Sequence, residues 1–233
     1  MATFVLVHGS WHGGWCYARV ARLLRAAGHD VFTPTLTGMG ERAHLANAAI
    51  NLDTHIRDIV NVLEYEDLKE VVLCGHSYGG MVITGVAAEA AERIGCLFYL
   101  DAFVPETGQS FFDVVNPEIT MGFLALAAQN SGAVPPIPAA AFNVNAADAA
   151  WVDATCVPQS LASFAQAVRL GAEAVAVARR TYVFASANGM ETFRPIYERL
   201  KSAGGWTVHA VACGHDVMLD SPAKLAELLL AEI

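Results

Sequence analysis

Val71-Val72-Leu73-Cys74-Gly75-His76-Ser77-Tyr78-Gly79-Gly80 is the stretch that decides the fold. Its first four residues are apolar, which predicts a buried strand over Val71 to Cys74. The chain then turns into a small-residue helix, predicted to begin near Tyr78 and to run from Met81 to Arg93. Between the two, Gly75-His76-Ser77-Tyr78-Gly79 fits G-x-S-x-G, the strained turn that lifts a serine hydroxyl above a sheet. Glycines two residues before and two after the serine remove side chains that would collide in so sharp a bend. The Tyr78 N–H and the positive end of the helix then face any negative charge that grows beside Ser77. A glycine-rich turn that only packs would read the same over five residues. The apolar strand before it and the helix after it favour the functional reading.

The flanking chain repeats this strand–helix alternation. Thr3 to Val7 is a continuous apolar strand, the pattern of a parallel sheet covered on both faces. His8 to Gly14 follows as a loop whose glycines allow close approach of backbone to a ligand. Tyr17 to Ala27 reads as an amphipathic helix stopped by Gly28, and Asp30 to Thr33 as a short strand. Asp53 is the expected N-cap of a helix that buries Ile56, Ile59, Val60 and Leu63. Gly95 is expected to end the helix after the elbow, and Cys96 to Leu100 to form a strand closing on Asp101. From Val104 to about Arg179 no strand is apparent. Prolines and scattered aromatic residues in short helical stretches predict a helical cap insertion over residues 104–179. Alternation then resumes, with strands Thr181 to Ala185 and Thr207 to Cys213 and helices Glu191 to Ser202 and Ser221 to Glu232. Ser221-Pro222 supplies an N-cap and a first-turn proline. The fold class is therefore α/β: a doubly wound, mostly parallel six-stranded sheet in one domain spanning residues 1–233.

Composition narrows the function classes. A hydrophobic content of 55% and a charged content of 16% suit a globular chain with a large core. A net charge of −9 argues against a nucleic-acid surface. No apolar run reaches the roughly 18 residues of a membrane span, and no signal-peptide pattern follows Met1. Cys16, Cys74, Cys96, Cys156 and Cys213 are scattered and form no C-x-x-C, which points to a reducing cytoplasm and no metal site.

A serine nucleophile needs a base, and the base needs an orienting group. Open α/β sheets carry their sites at the carboxyl ends of the strands. His215, in Cys213-Gly214-His215-Asp216 after the last strand, is the candidate base. His29, His44 and His55 are expected to be solvated, and His209 packed. The oxyanion donors are expected to be the N–H groups of Tyr78 and Ser10, the latter in the loop after the first strand. His12 is expected to shape that loop or to touch substrate. The acid is less direct. The turn after Thr181 to Ala185 reads Ser186-Ala187-Asn188-Gly189, which puts an amide where a carboxylate is expected. An amide cannot stabilise an imidazolium by charge, and Asp-to-Asn in a serine triad costs about 10⁴ in turnover. Asp101, at the end of the strand next after the elbow unit, is the candidate acid. Asn188 without a carboxylate, or Glu191, are the alternatives. Asp216 would have to fold back on its neighbour.

With these residues assembled, the chain resembles the small α/β-hydrolases that include bacterial carboxylesterases, plant methylesterases and hydroxynitrile lyases. The resemblance is carried by Phe4 to Trp15 (FVLVHGSWHGGW), Pro34 to Arg42 (PTLTGMGER), the elbow, Tyr99 to Pro105 (YLDAFVP) and Gly214-His215. It implies a Ser77–His215 hydrolase with oxyanion donors at Ser10 and Tyr78, a helical cap and no cofactor. The lyases of this group typically have threonine after the strand-end histidine and lysine after the catalytic histidine. Here those positions are Gly9 and Asp216, which favours ester hydrolysis over cyanohydrin cleavage.

The expected reaction is cleavage of a small hydrophobic or aromatic carboxylic ester through an acyl-enzyme. The candidate pocket residues are Trp11, His12, Phe103, Phe123 and Trp151. The expected partner is a small-molecule ester, with no nucleic acid and no membrane, and a homodimer is left open. The alternatives are a hydroxynitrile lyase using the same serine and histidine, or a catalytically weak ligand-binding relative.

Overall fold

A computed structural model describes residues 1–170, 177–190 and 192–233. Its strands are β1 (Thr3–Val7), β2 (Asp30–Phe32), β3 (Val71–His76), β4 (Ile94–Leu100), β5 (Ala133–Val134), β6 (Gln159–Ser160), β7 (Arg180–Ala185) and β8 (Thr207–Val211). Six of them form one sheet in the order β2-β1-β3-β4-β7-β8, and every pairing in it is parallel. The apolar runs explain this. Phe4 to Val7 and Val71 to Cys74 are fully or almost fully buried because helices cover both faces. β3 lies between β1 and β4, with Leu6 opposite Cys74 and His76 opposite Leu100. The loops after β1, β3 and β4 therefore emerge side by side at one edge.

The covering helices are α1 (Ala18–Ala26), α2 (Leu52–Tyr65), α3 (Gly79–Glu89), α4 (Phe111–Val114), α5 (Pro117–Gln129), α6 (Ala149–Thr155), α7 (Leu161–Ala165), α8 (Arg194–Ser202), α9 (Val217–Asp220) and α10 (Pro222–Leu230). α3 is buried from Gly79 to Ala87, as its small apolar sequence requires.

Several local expectations change. β3 runs two residues further, to His76, and α3 stops at Glu89, with a separate 3₁₀ turn over Ala91–Arg93. Gly95 lies inside β4 instead of ending the helix; a Cβ there would meet the Glu70 carbonyl at 3.0 Å. Asn51, not Asp53, caps α2: its side chain accepts the Thr54 N–H at 3.0 Å, with Thr54 reaching back in a capping box. Between β4 and β7 the expected absence of strands is overturned by the antiparallel pair β5–β6, with Ala133 opposite Ser160. Two-residue strands carry no periodic signal. β8 ends at Val211, and α8 begins at Arg194; the expected start at Glu191 lies outside the described residues. Among the described residues no helix is long and apolar enough to cross a membrane.

The insertion roofs the strand edge with aromatic side chains. Phe164 lies within 4.9 Å of the Phe111 ring and 5.1 Å of Phe123, and Trp11 meets Phe123 at 5.8 Å. Trp11 is held there by two bonds to the insertion: its N–H to Gln159 Oε1 at 3.1 Å and its indole N–H to the Val134 carbonyl at 3.0 Å.

Candidate active site

Ser77 sits at the tip of β3 with φ 52°, the left-handed backbone expected of a residue pushed out of a strand-to-helix turn. The tight bend explains its neighbours. A Cβ on Gly75 would fall 2.5 Å from the Gly79 carbonyl oxygen, and one on Gly79 would fall 2.8 Å from the carbonyls of Val7 and His8. The Ser77 N–H donates to the Leu100 carbonyl at 3.2 Å, which pins the elbow to the end of β4.

Asp101 follows directly, with φ 41°, and is fully buried. Three donors converge on its carboxylate. His215 Nδ1 reaches Oδ2 at 2.7 Å, Asn188 Nδ2 reaches the same oxygen at 2.8 Å, and the Ala185 N–H reaches Oδ1 at 3.0 Å. Asn188 thus stands beside Asp101, oriented in turn by the Met190 N–H on its own Oδ1 at 2.8 Å. Asp216 does not turn back on its neighbour; it reaches His12 Nε2 at 3.0 Å. Glu191 lies outside the described residues.

His215 and Ser77 border the same cavity of about 70 Å³. The imidazole is clamped from several sides. Phe193 stacks on it at 5.0 Å with an interplanar angle of 16°, and the His76 ring lies 4.4 Å away. His76 Nε2 donates to the His215 carbonyl at 3.1 Å. Among the described residues, His215 Nε2 and the Ser77 hydroxyl make no hydrogen bond, to each other or to a third group, and both border the cavity where substrate would lie. The N–H groups of Ser10 and Tyr78 are likewise uncommitted.

The rest of the lining is apolar, led by Phe103, Phe111, Phe123, Phe142 and Phe193 with Trp11. Ser10 and Thr192 are the further polar lining residues, and no described lining residue is an aspartate, glutamate, lysine or arginine. Trp11, Phe103 and Phe123 line this cavity, whereas Trp151 and His12 do not. Trp151 is 42% exposed and packs on Trp15 at 4.7 Å, outside the cavity. His12 is buried behind Ser10 and faces Asp216. Sequence reasoning missed Phe111, Phe142 and Phe193, which carry no local signal, and His76, which the elbow itself contains.

The other histidines are mostly structural. His55 was expected in solvent but is fully buried, with Nδ1 2.9 Å from the Tyr78 hydroxyl and Nε2 3.1 Å from the Thr37 carbonyl. Its position four residues before Ile59 on the same helix face was the available signal. Burial pushes it down to about 4, and His8, also fully buried, down to about 3. His44 is exposed, His29 is half-buried and accepts the Ala2 N–H, and His209 is half-buried, less packed than expected.

The model of the Alpha/beta hydrolase family matches residues 4–228. The chain belongs to this family. Among related alpha/beta hydrolases, a carbendazim hydrolyzing esterase of Nocardioides sp. (strain SG-4G) is 48% identical over 240 residues, covering 99% of each chain. Methylesterase 1 of Arabidopsis thaliana is 35% identical over 118 residues, 46% of this chain and 41% of that protein. An extracellular alpha/beta-hydrolase from a Paenibacillus species superposes with a TM-score of 0.87 at 24% identity, covering 100% of this chain and 99% of that one. This alpha/beta hydrolase is accordingly an esterase of the serine-hydrolase type, related to bacterial carboxylesterases and plant methylesterases.

Proposed function

We propose that Ser77, His215 and Asp101 are the nucleophile, base and acid of a carboxylesterase that cleaves small, neutral, aromatic or hydrophobic esters. The observation that carries this reading is the 2.7 Å contact of His215 Nδ1 with the buried Asp101, on the strand end beside the elbow. It holds the imidazole with Nε2 free to take the Ser77 proton as Oγ attacks the ester carbonyl. The tetrahedral oxyanion is received by the N–H groups of Ser10 and Tyr78. His215 then protonates the leaving alcohol, and water repeats the sequence on the acyl-enzyme.

A small aromatic pocket whose described lining residues include no aspartate, glutamate, lysine or arginine favours flat neutral acyl groups and opposes carboxylate-bearing ones, whose burial without a partner is costly. Carbendazim, an aromatic carbamate ester, is a natural test substrate given the full-length likeness to an esterase that hydrolyses it. Gly9 supports hydrolysis over cyanohydrin cleavage: a Cβ there would fall 2.8 Å from His76 Nδ1 and 3.0 Å from Ser77 Cβ, leaving no room for a threonine. The free thiols of all five cysteines support a cytoplasmic location.

The test is pre-steady-state turnover of a nitrophenyl ester. A burst equal to the enzyme concentration is expected from wild type, and a loss of about 10⁶ in turnover from Ser77→Ala. A Ser77→Ala rate above a thousandth of wild type would refute the scheme, and cyanide release from mandelonitrile without ester turnover would favour a lyase.

A further inference from the structure

A second histidine–carboxylate pair lies behind the first. His12 and Asp216 are 3% and 0% exposed, with Nε2 and Oδ2 3.0 Å apart. Both ring nitrogens of His12 face acceptors: Nε2 faces Asp216, and Nδ1 faces the Ser10 carbonyl at 2.7 Å. A neutral imidazole carries one N–H, so only the imidazolium donates to both. The other buried histidines differ. His8 Nε2 accepts the Leu36 N–H, and His55 Nδ1 faces the Tyr78 hydroxyl, so each has a use for an unprotonated nitrogen.

We infer that the His12 imidazolium and the Asp216 carboxylate are a positioning pair, which locks the loop presenting the Ser10 N–H to the loop carrying His215. Ser10 is two residues before His12, and His215 one before Asp216, so the pair ties together the two loops that must serve one tetrahedral intermediate. Neither residue lines the cavity. The ionisable groups facing His12 are Asp216, the Cys156 thiol 3.9 Å from Nδ1, His76 at a ring distance of 6.3 Å, and the buried His8. Burial opposes the charge on His12, but Asp216 outweighs it and holds the imidazole well above its ordinary value. Asp216 is held low in return. This role rests on the assignment of Ser10 and His215 proposed above.

Two measurements test it. In wild-type enzyme at pH 8, the imidazole ¹⁵N resonances of His12 are expected to show both nitrogens protonated; a neutral ring would overturn the proposal. Asp216→Asn is expected to lower kcat about tenfold to a hundredfold, the scale of an ångström-sized misplacement. KM should stay within about twofold, and affinity for a trifluoromethyl ketone, which draws on the oxyanion donors, should fall in parallel with kcat. Unchanged kcat in a folded variant, or a loss confined to KM, would overturn it. Should Asp216→Asn not fold, His12→Gln read by the same constants decides, together with the wild-type spectrum. Absence of any acyl-enzyme on Ser77 would count against the catalytic reading itself, and the nitrogen spectrum separates that failure from this one.

Discussion

Asp101→Asn is the substitution in which the structure commits itself furthest. The variant keeps the shape of the side chain and changes one oxygen to an amide. Two donors, from His215 and Asn188, meet at Oδ2, and one, from the Ala185 N–H, meets Oδ1. If the amide oxygen takes the Oδ2 place, the NH₂ faces the Ala185 N–H at about 3 Å, donor against donor, at a cost of about 1–3 kcal/mol in stability. His215 then keeps its tautomer but loses the charge that stabilises the imidazolium. If the NH₂ takes the Oδ2 place, it meets the Asn188 NH₂ donor against donor at 2.8 Å; His215 Nδ1 must then accept, its proton moves to Nε2, and the ring cannot receive the Ser77 proton. That second outcome costs about 10⁴, or roughly 5.5 kcal/mol of transition-state stabilisation. Turnover of a nitrophenyl ester at pH 8 is therefore expected to fall by about 10³ to 10⁴, with a lower Tm. Asn188→Ala removes one donor of three and leaves the carboxylate, so a loss of about tenfold or less is expected. Asp101→Asn within tenfold of wild type, together with more than a hundredfold loss in Asn188→Ala, would refute the assignment.

Stability should fall with acid. The unfolded chain protonates His8 and His55 near pH 6.5, whereas burial delays this in the folded state to about 3 and about 4. Their contribution is thus present above pH 6.5 and is lost as pH falls toward those values, about 2.5 kcal/mol each between pH 7 and 4.5. Urea unfolding across that range checks this, and a flat or rising profile would contradict it. Gly75→Ala should cost about 3 kcal/mol, because the new Cβ meets the Gly79 backbone at 2.5 Å; an unfolding free energy from urea titration within about 0.5 kcal/mol of wild type would show that the elbow can open. Trp151→Ala, outside the cavity, should leave kcat/KM within about twofold. Phe193→Ala unstacks His215 and should lower it by about tenfold or more, and the reverse ranking would move the pocket.

What could be read in advance follows from where the relevant forces act along the chain. Buried parallel strands are written as unbroken apolar runs, so Thr3 to Val7 and the elbow strand announced themselves, and a strand order places Asp101 beside Ser77 before any side chain is seen. His55 was legible too, through its helix face, but its polarity suggested solvent. The contacts that set charge are another matter. His12 and Asp216 are 204 residues apart, and Asp101 and His215 are 114 apart. Nothing local distinguishes a histidine that faces two acceptors from one that faces an acceptor and a donor.

Asn188 shows the consequence. Read locally, it is an acid lost to an amide; in the fold it is a neutral donor to a carboxylate that has moved one strand inward, from the end of β7 to the end of β4. A carboxylate at both places would set like charges at hydrogen-bond distance and force one to hold a proton. The amide is therefore the complement of Asp101. Asn188→Asp in an otherwise wild-type chain should lower activity at neutral pH, although it introduces the residue expected there. Paired with Asp101→Asn, the same change should restore much of what Asp101→Asn alone removes. Failure of that pair to recover, measured by turnover of the same ester, would show that the β4 position supplies geometry the β7 position cannot.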